Sequence, residues 1–314
     1  MVESAIMKVE YIQIGPNDEG QRIDNYLIKR LKGVPKSYIY RIVRSGQVRV
    51  NKKRVKVNTK LVKGDEIRIP PIRVTQARDV TISENLKELI ASRICYVDDK
   101  LLVFNKPAGM AVHGGSGLSF GVIEALRKCY PEQDYLELVH RLDRETSGCL
   151  LIAKKRSVLR ELHEQLQLHQ MNKIYWALLN GQWKGTKRQI VEKPLLKNTL
   201  KSGERIVRVD DNGKSAKTYF KLLNNYQQAC LVEAKPVTGR THQIRVHSLD
   251  LGLPILGDDK YGDKLENRRF KKVGLQRMFL HAYQIEFTLN GKPLMFRAPL
   301  DESLQYVLDE LEKS

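Results

Sequence analysis

Cysteine is scarce in this chain of 314 residues: four are present, Cys95, Cys129, Cys149 and Cys230, and no two form a C-x-x-C pair. Such spacing excludes a disulfide framework or a zinc ribbon and suits free, often buried thiols in a reducing cytosol. Long apolar runs are missing too. No stretch of about eighteen apolar residues exists, so no membrane-spanning helix is expected. The opening "MVESAIMKVEYIQI" has no basic region ahead of an apolar stretch, so no signal peptide is expected either. Acidic side chains are the third shortage: 36 Asp and Glu face 55 Lys and Arg, a formal net charge of +19. An excess of that size says nothing about fold. It favours a polyanionic partner.

Motifs for common cofactor chemistries also fail. "GMAVHGGSGLSFG" is glycine-rich, but Gly121 follows Gly115 and Gly117 one residue too late for a dinucleotide loop, and no Gly-Lys-Ser/Thr ending follows. Ser116 lacks the G-x-S-x-G frame of a nucleophile elbow. "HEQLQLH" starts like a zinc-protease helix, but position 167 is Gln, which leaves His163 at a helix edge four residues after Leu159. His242 and His247, five apart, share neither a helical nor a strand face. No metal or cofactor site is expected.

What is present is a concentrated basic segment. Between Gly20 and Val74 stand sixteen Lys/Arg and three Asp/Glu, a net of +13. Ile23, Tyr26, Leu27 and Leu31 recur at helical spacing, and "SYIYRIVRSG" reads as a second short helix stopped by Gly46. "QVRVNKKRVKV" then alternates apolar and basic residues about an Asn51 turn, and "GDEIRIP" supplies another strand. Alternation sends Val48, Val50, Val55 and Val57 inward and leaves Arg49, Lys52, Lys53, Arg54 and Lys56 facing solvent. Arg41 and Arg44, three apart, share a helix face. A helix–turn–helix leading into a basic hairpin resembles an S4 RNA-binding domain, which implies Arg41, Arg44, Arg49, Lys52, Lys53 and Arg54 as RNA contacts. A-form RNA is gripped largely by backbone and shape, a task for many cations.

The domain plan that follows has an N-terminal segment at 1–19, the S4-like domain at 20–74, a linker with one helical turn at 75–91, and a second domain at 92–314. In the second domain short strands such as "LLVFNK", "GCLLIAKK", "KIYWALLNGQW" and "ACLVEAKPV" often follow one another without helices between them. That order predicts an α+β fold with a mixed, mainly antiparallel sheet and flanking helices, closed by the amphipathic "DESLQYVLDELEK".

Within that domain "HRLDRETSG" places Asp143 between Arg141 and Arg144, in a polar loop joining two strand-like stretches. A loop pinned at both ends can hold a side chain rigidly and keep it accessible. Read alone, Asp143 could simply pair with an arginine or cap the turn. The motif resembles the signature of RNA pseudouridine synthases of the ribosomal large-subunit branch. "LLVFNKPAGMAVHGG", "NKIYWAL", "PVTGRTHQIRVH", "LGDDKYG" and "RMFLHA" agree with that family in type and order. The resemblance implies an isomerase that breaks the N1–C1′ bond of uridine, turns the uracil and rejoins it through C5. No atoms are added and no net redox change occurs, so it implies no cofactor. It makes Asp143 the catalytic carboxylate, either a nucleophile or a base that removes a ribose proton. Both roles need the carboxylate charged, which a neighbouring guanidinium favours, and the family pattern puts that partner at Arg245. Alternation alone would allow Arg245 to be an exposed strand arginine. Tyr175 would stack on the uracil, although an aromatic in a strand is by default a core residue. Arg141 would fill the space a flipped uridine leaves, and Arg144 would be structural.

The implied partner is 23S ribosomal RNA, met by a cytoplasmic monomer with no membrane or small-molecule partner. Two competing readings are a non-catalytic RNA-binding protein and a hydrolase of the N-glycosidic bond. A hydrolase would usually need a second carboxylate, for which Glu145 is the local candidate. The charge count itself yields a test. Removing residues 1–75 should weaken RNA binding and flatten its dependence on salt, because fewer counterions are released. A filter-binding titration across salt concentrations that gives the same slope for both proteins would refute the assignment.

Overall fold

Asn51 and Lys52 both adopt positive φ, 48° and 64°, the backbone of a two-residue hairpin turn whose twist matches its strands. In the computed structural model, which describes residues 4–6, 8–31, 34–75, 82–114, 120–199 and 205–313, this turn belongs to the first of two compact units, Met1–Thr81 and Ile82–Ser314. The first unit runs β1 (Ser4–Ile6), β2 (Glu10–Gln13), α1 (Ile23–Arg30), α2 (Lys36–Arg44), β3 (Arg49–Val50), β4 (Lys53–Arg54), β5 (Glu66–Ile69) and β6 (Arg73–Thr75). Strands β2-β5-β3-β4 form one sheet, and β1 pairs with β6. Ile23, Leu27, Ile39, Ile42, Val48 and Ile67 fill the core between helices and sheet. Val48 and Val50 are buried, while Val55 and Val57 pack partly against that core. Asn51 fixes the hairpin to the next strand: its Nδ2 donates to Asp65 Oδ1 (2.7 Å) and its Oδ1 accepts from Glu66 N (2.9 Å).

Two boundaries differ from expectation. The segment 1–19 is not separate, because β2 lies along β5 and Ile14 is buried in the same core. The linker expected at 75–91, with one helical turn, lies in part outside the described residues, at 76–81, and its second half is more than a turn. Glu84–Ser92 form a nine-residue helix, α3, capped by Ser83 Oγ accepting from Leu86 N (3.3 Å). Ile90 and Leu86 seat it in the core of the second unit. Leu86, Leu89 and Ile90 do recur at i, i+3 and i+4 behind Ser83, a helical signal that the linker reading passed over.

The second unit continues β7 (Ile94–Val97), β8 (Leu101–Lys106), α4 (Val122–Cys129), β9 (Glu137–Leu138), β10 (Ser147–Ala153), α5 (Arg156–Gln167), β11 (Asn172–Asn180) and β12 (Arg188–Glu192). A hairpin of β13 (Leu195–Thr199) and β14 (Arg205–Val209) precedes β15 (Lys217–Asn225) and β16 (Ala229–Pro236). Then come α6 (Gln243–Asp250), α7 (Lys264–Lys272), β17 (Leu280–Leu289), β18 (Lys292–Arg297) and α8 (Glu302–Glu312). The main sheet has the order β12-β15-β16-β11-β17-β10-β8-β7, with β18 on β17 and β9 on β10. Every pairing is antiparallel except β10 with β17. This is the α+β, mainly antiparallel arrangement foreseen from the strand order.

Strands β8 and β10 are buried along their whole length, so both faces must be covered. Leu102, Phe104, Leu150 and Ile152 pack with α4, while Leu101, Val103, Leu151 and Ala153 pack with α5. Side chains that alternate along a strand thus fill cores on opposite faces. At the parallel junction Gly148 has φ +109° and lies so close to β17 that an added methyl group would meet the Ala282 backbone. Gly148→Ala should therefore lower stability by about 3 kcal/mol or more, combining backbone strain with overpacking. Urea denaturation checks this, and a loss below about 1 kcal/mol would contradict it.

Candidate active site

The loop between β9 and β10 carries Asp143, and a buried lysine stitches that loop in place. Lys106 is wholly inaccessible and donates to the carbonyls of Pro107 (2.8 Å), Met110 (2.8 Å) and Arg144 (3.0 Å). Burial pushes its ammonium down to about 7, yet three acceptors call for three N–H bonds and favour the charged form. Arg144 completes the joint: its Nε donates to Gly109 O (2.9 Å) and its carbonyl accepts from Gly109 N (2.9 Å). Arg144 is structural, as expected. His140 anchors the other side, with Nε2 accepting from Leu151 N (3.2 Å). Burial pushes it down to about 3, so it stays neutral.

Sheet register sets the opposite wall. Tyr175 on β11 stands opposite Ala282 of β17, Ala282 opposite Gly148 of β10, and Gly148 opposite Lys106 of β8. Ala234 flanks Tyr175 on β16. Small neighbours on either side leave the Tyr175 ring exposed to a cleft while the rest of it packs into the core. Burial, followed by the negative charge of Asp143, raises its phenol above the ordinary range. Tyr175 therefore meets the cleft as a neutral aromatic.

Arg245 arrives on α6, which is a helix where alternation had allowed a strand. Six consecutive residues of α6, Gln243 to Ser248, are buried. A helix buried all round shows no amphipathic period in its sequence. Arg245 is 8% exposed, and its Nε and Nη2 make a two-pronged bond to Asp258, 2.7 Å each. Asp258 is 1% exposed and also accepts from Lys260 N (2.9 Å) and Tyr261 N (3.1 Å). The Tyr261 ring lies 4.8 Å from the guanidinium. Only Nη1 reaches toward Asp143, at 3.9 Å from Oδ2. The pair foreseen from the family pattern exists, but as the looser of two.

Asp143, Tyr175, Arg245 and Arg141 all line one cleft of about 320 Å³. Its other polar walls include Lys173, Arg240 and His242, and Asp143 is the one carboxylate among the lining residues described. Glu145 is exposed, sits 3.6 Å from Arg144 Nε and is not among them. Arg141 is exposed at the rim. The six basic residues singled out earlier lie in the first unit. Arg41, Arg44, Arg49, Lys52, Lys53 and Arg54 are all exposed, and among the described residues none has a carboxylate partner. Arg41 stacks over Tyr38 at 4.6 Å. The sequence reading missed Asp258, Lys106 and Tyr261. All three sat in motifs already quoted, Asp258 and Tyr261 in "LGDDKYG" and Lys106 in "LLVFNKPAG", without any sign of which side chain would be buried against what.

A family model for RNA pseudouridylate synthase matches residues 100–250, and one for the S4 domain matches residues 21–67. Ribosomal large subunit pseudouridine synthase C of Haemophilus influenzae is 55% identical over 310 residues, covering 98% of this chain and 96% of that protein. The protein of the same name from Escherichia coli K12 is 54% identical over 312 residues, covering 98% of each. The chain belongs to the RNA pseudouridine synthase family. A solved human structure, RNA pseudouridylate synthase domain containing 4, superposes on this synthase with a TM-score of 0.62 at 29% identity, covering 73% of this chain and 96% of that one. The synthase thus combines an S4 domain with a uridine-isomerising domain. No helix among its described residues is long and apolar enough to cross a membrane.

Asp258→Asn tests the anchoring pair. Amide for carboxylate leaves a buried guanidinium without its counter-charge, a loss of about 3–5 kcal/mol. Thermal and urea melts should show it, and a variant as stable as the parent would contradict the role given to Asp258.

Proposed function

We propose that this synthase converts specific uridines of 23S ribosomal RNA to pseudouridine, with Asp143 as the catalytic carboxylate. The carrying observation is that Asp143, the single carboxylate among the described residues lining a small cleft, shares it with Tyr175 and stands beside an Arg245 guanidinium fixed from behind by Asp258. Large-subunit rRNA is the substrate printed in the names of relatives matched over almost the whole chain, and the exposed basic face of the S4 domain suits a folded RNA.

In this reading the uridine leaves its stack, Arg141 occupies the vacated space, and the uracil lies against the Tyr175 ring. Flipping costs a few kcal/mol, which a cation beside the gap offsets. With the Arg245 guanidinium beside it, Asp143 acts on the nucleotide as nucleophile or as base. Tyr175, a neutral phenol, keeps the ring stacked while C5 loses its proton. A hydrolase would want a second carboxylate, and Glu145 points away to Arg144 instead. The synthase acts as a cytoplasmic monomer, since RNA supplies the partner surface that its basic face fits.

Asp143→Asn separates chemistry from structure. Asn keeps the size and a hydrogen-bond acceptor but cannot carry the charge. Melting temperature and RNA affinity should stay near wild type while single-turnover rate falls at least about four orders of magnitude. Turnover above a hundredth of wild type, or lost stability with retained activity, would overturn the assignment. Mass spectrometry of the treated RNA distinguishes isomerisation, which leaves the mass unchanged, from hydrolysis, which loses a base.

A further inference from the structure

His242 precedes α6 in the left-handed conformation, φ 53° and ψ 21°. Few residues other than glycine adopt that conformation, histidine being among those that do, and it persists where the surroundings hold it. The surroundings do hold it. Gln243 Oε1 accepts from Thr238 Oγ1 (2.6 Å) and from Arg240 N (3.1 Å), and Gln243 Nε2 donates to Lys217 O (2.9 Å) and Thr218 Oγ1 (3.0 Å). The imidazole is 12% exposed and faces the cleft.

Its tautomer follows from its partners. Nδ1 lies 2.7 Å from Tyr261 Oη, and that oxygen accepts from Val207 N at 2.9 Å. The Tyr261 hydroxyl hydrogen has no other acceptor among the described residues, so it points at Nδ1, which must then be the lone-pair nitrogen. The ring proton is left on Nε2. Nε2 sits 3.9 Å from Asp143 Oδ2, where an N–H is attracted to the carboxylate and a lone pair would be repelled. That distance is too long for a hydrogen bond. The donor therefore points into the cleft without an acceptor. Burial pushes the imidazole down to about 4, so it is neutral at working pH.

We infer that His242 is a further catalytic residue, whose fixed Nε2–H donates a hydrogen bond to a carbonyl oxygen of the flipped uracil. The inference rests on the function proposed above. When the N1–C1′ bond breaks, its electron pair stays on the ring, and the uracil anion spreads that charge over N1, O2 and O4. C5 then bonds to C1′, C5 loses its proton and N1 gains one, so the isomerisation balances. A neutral donor aimed at the anion stabilises it without giving up its own proton, whichever role Asp143 takes.

The test uses the full-length protein and 23S rRNA transcript carrying tritium at uridine C5, whose release to water reports the isomerisation. Wild type must release tritium; if it does not, the proposed function fails before His242 is in question. Given that activity, His242→Phe should slow the single turnover about 100-fold, with RNA affinity and melting temperature within about two-fold and a few degrees. His242→Gln, which restores an N–H, should recover at least tenfold of that loss. Histidine ¹⁵N spectra of the wild-type protein should show His242 protonated on Nε2, a readout independent of whether any variant folds. A His242→Phe rate within threefold of wild type, no recovery in the Gln variant, or a proton on Nδ1 would each overturn the inference.

Discussion

A guanidinium cannot be buried unpaired, and the Arg245–Asp258 fork is how this fold buries one beside the cleft carboxylate Asp143. Desolvating either charge alone would cost several kcal/mol. Together they satisfy one another at 2.7 Å, and the turn amides of Lys260 and Tyr261 complete the Asp258 acceptor set. Two of the three guanidinium nitrogens are thereby committed. The third is left facing Asp143, a positive charge whose position does not depend on substrate. A preorganised charge needs no rearrangement when the reaction begins.

The rest of the site is arranged around that fixed point. Tyr261 supports the guanidinium with its ring and orients His242 with its hydroxyl. The β13–β14 hairpin packs on Val246 of α6 and supplies the Val207 amide to Tyr261. On the opposite side, Lys106 gathers three carbonyls to hold the Asp143 loop. Sheet register then brings Tyr175 level with the strand that this loop enters. Asp258, Tyr261 and Lys106 thus brace Arg245, His242 and the Asp143 loop from outside the lining of the cleft.

Legibility in the sequence followed how local each signal was. The S4 hairpin could be read because alternation, Asn51 and the run of cations fall within a dozen residues. The core strands β8 and β10 could be read because their apolar runs are unbroken. Asp143 was found through a nine-residue motif, and Arg245 through the family pattern around it. The setting of Arg245 was hidden: α6 is buried all round, so it has no amphipathic period, and its principal partner lies thirteen residues away in a different turn. Helix α3 was legible in Ser83 and the Leu86, Leu89, Ile90 spacing, but it is short and follows a stretch without strand pattern, so it was read as part of a linker. Lys106 was not singled out, since nothing local shows that three carbonyls will surround it.

The central claim is that this assembly isomerises uridine in large-subunit ribosomal RNA. Pseudouridine mapping of 23S rRNA from cells with and without the protein tests it most directly. Particular uridines should be pseudouridine in the first and plain uridine in the second, and restored when the wild-type chain is returned. An identical map from both strains would contradict the account.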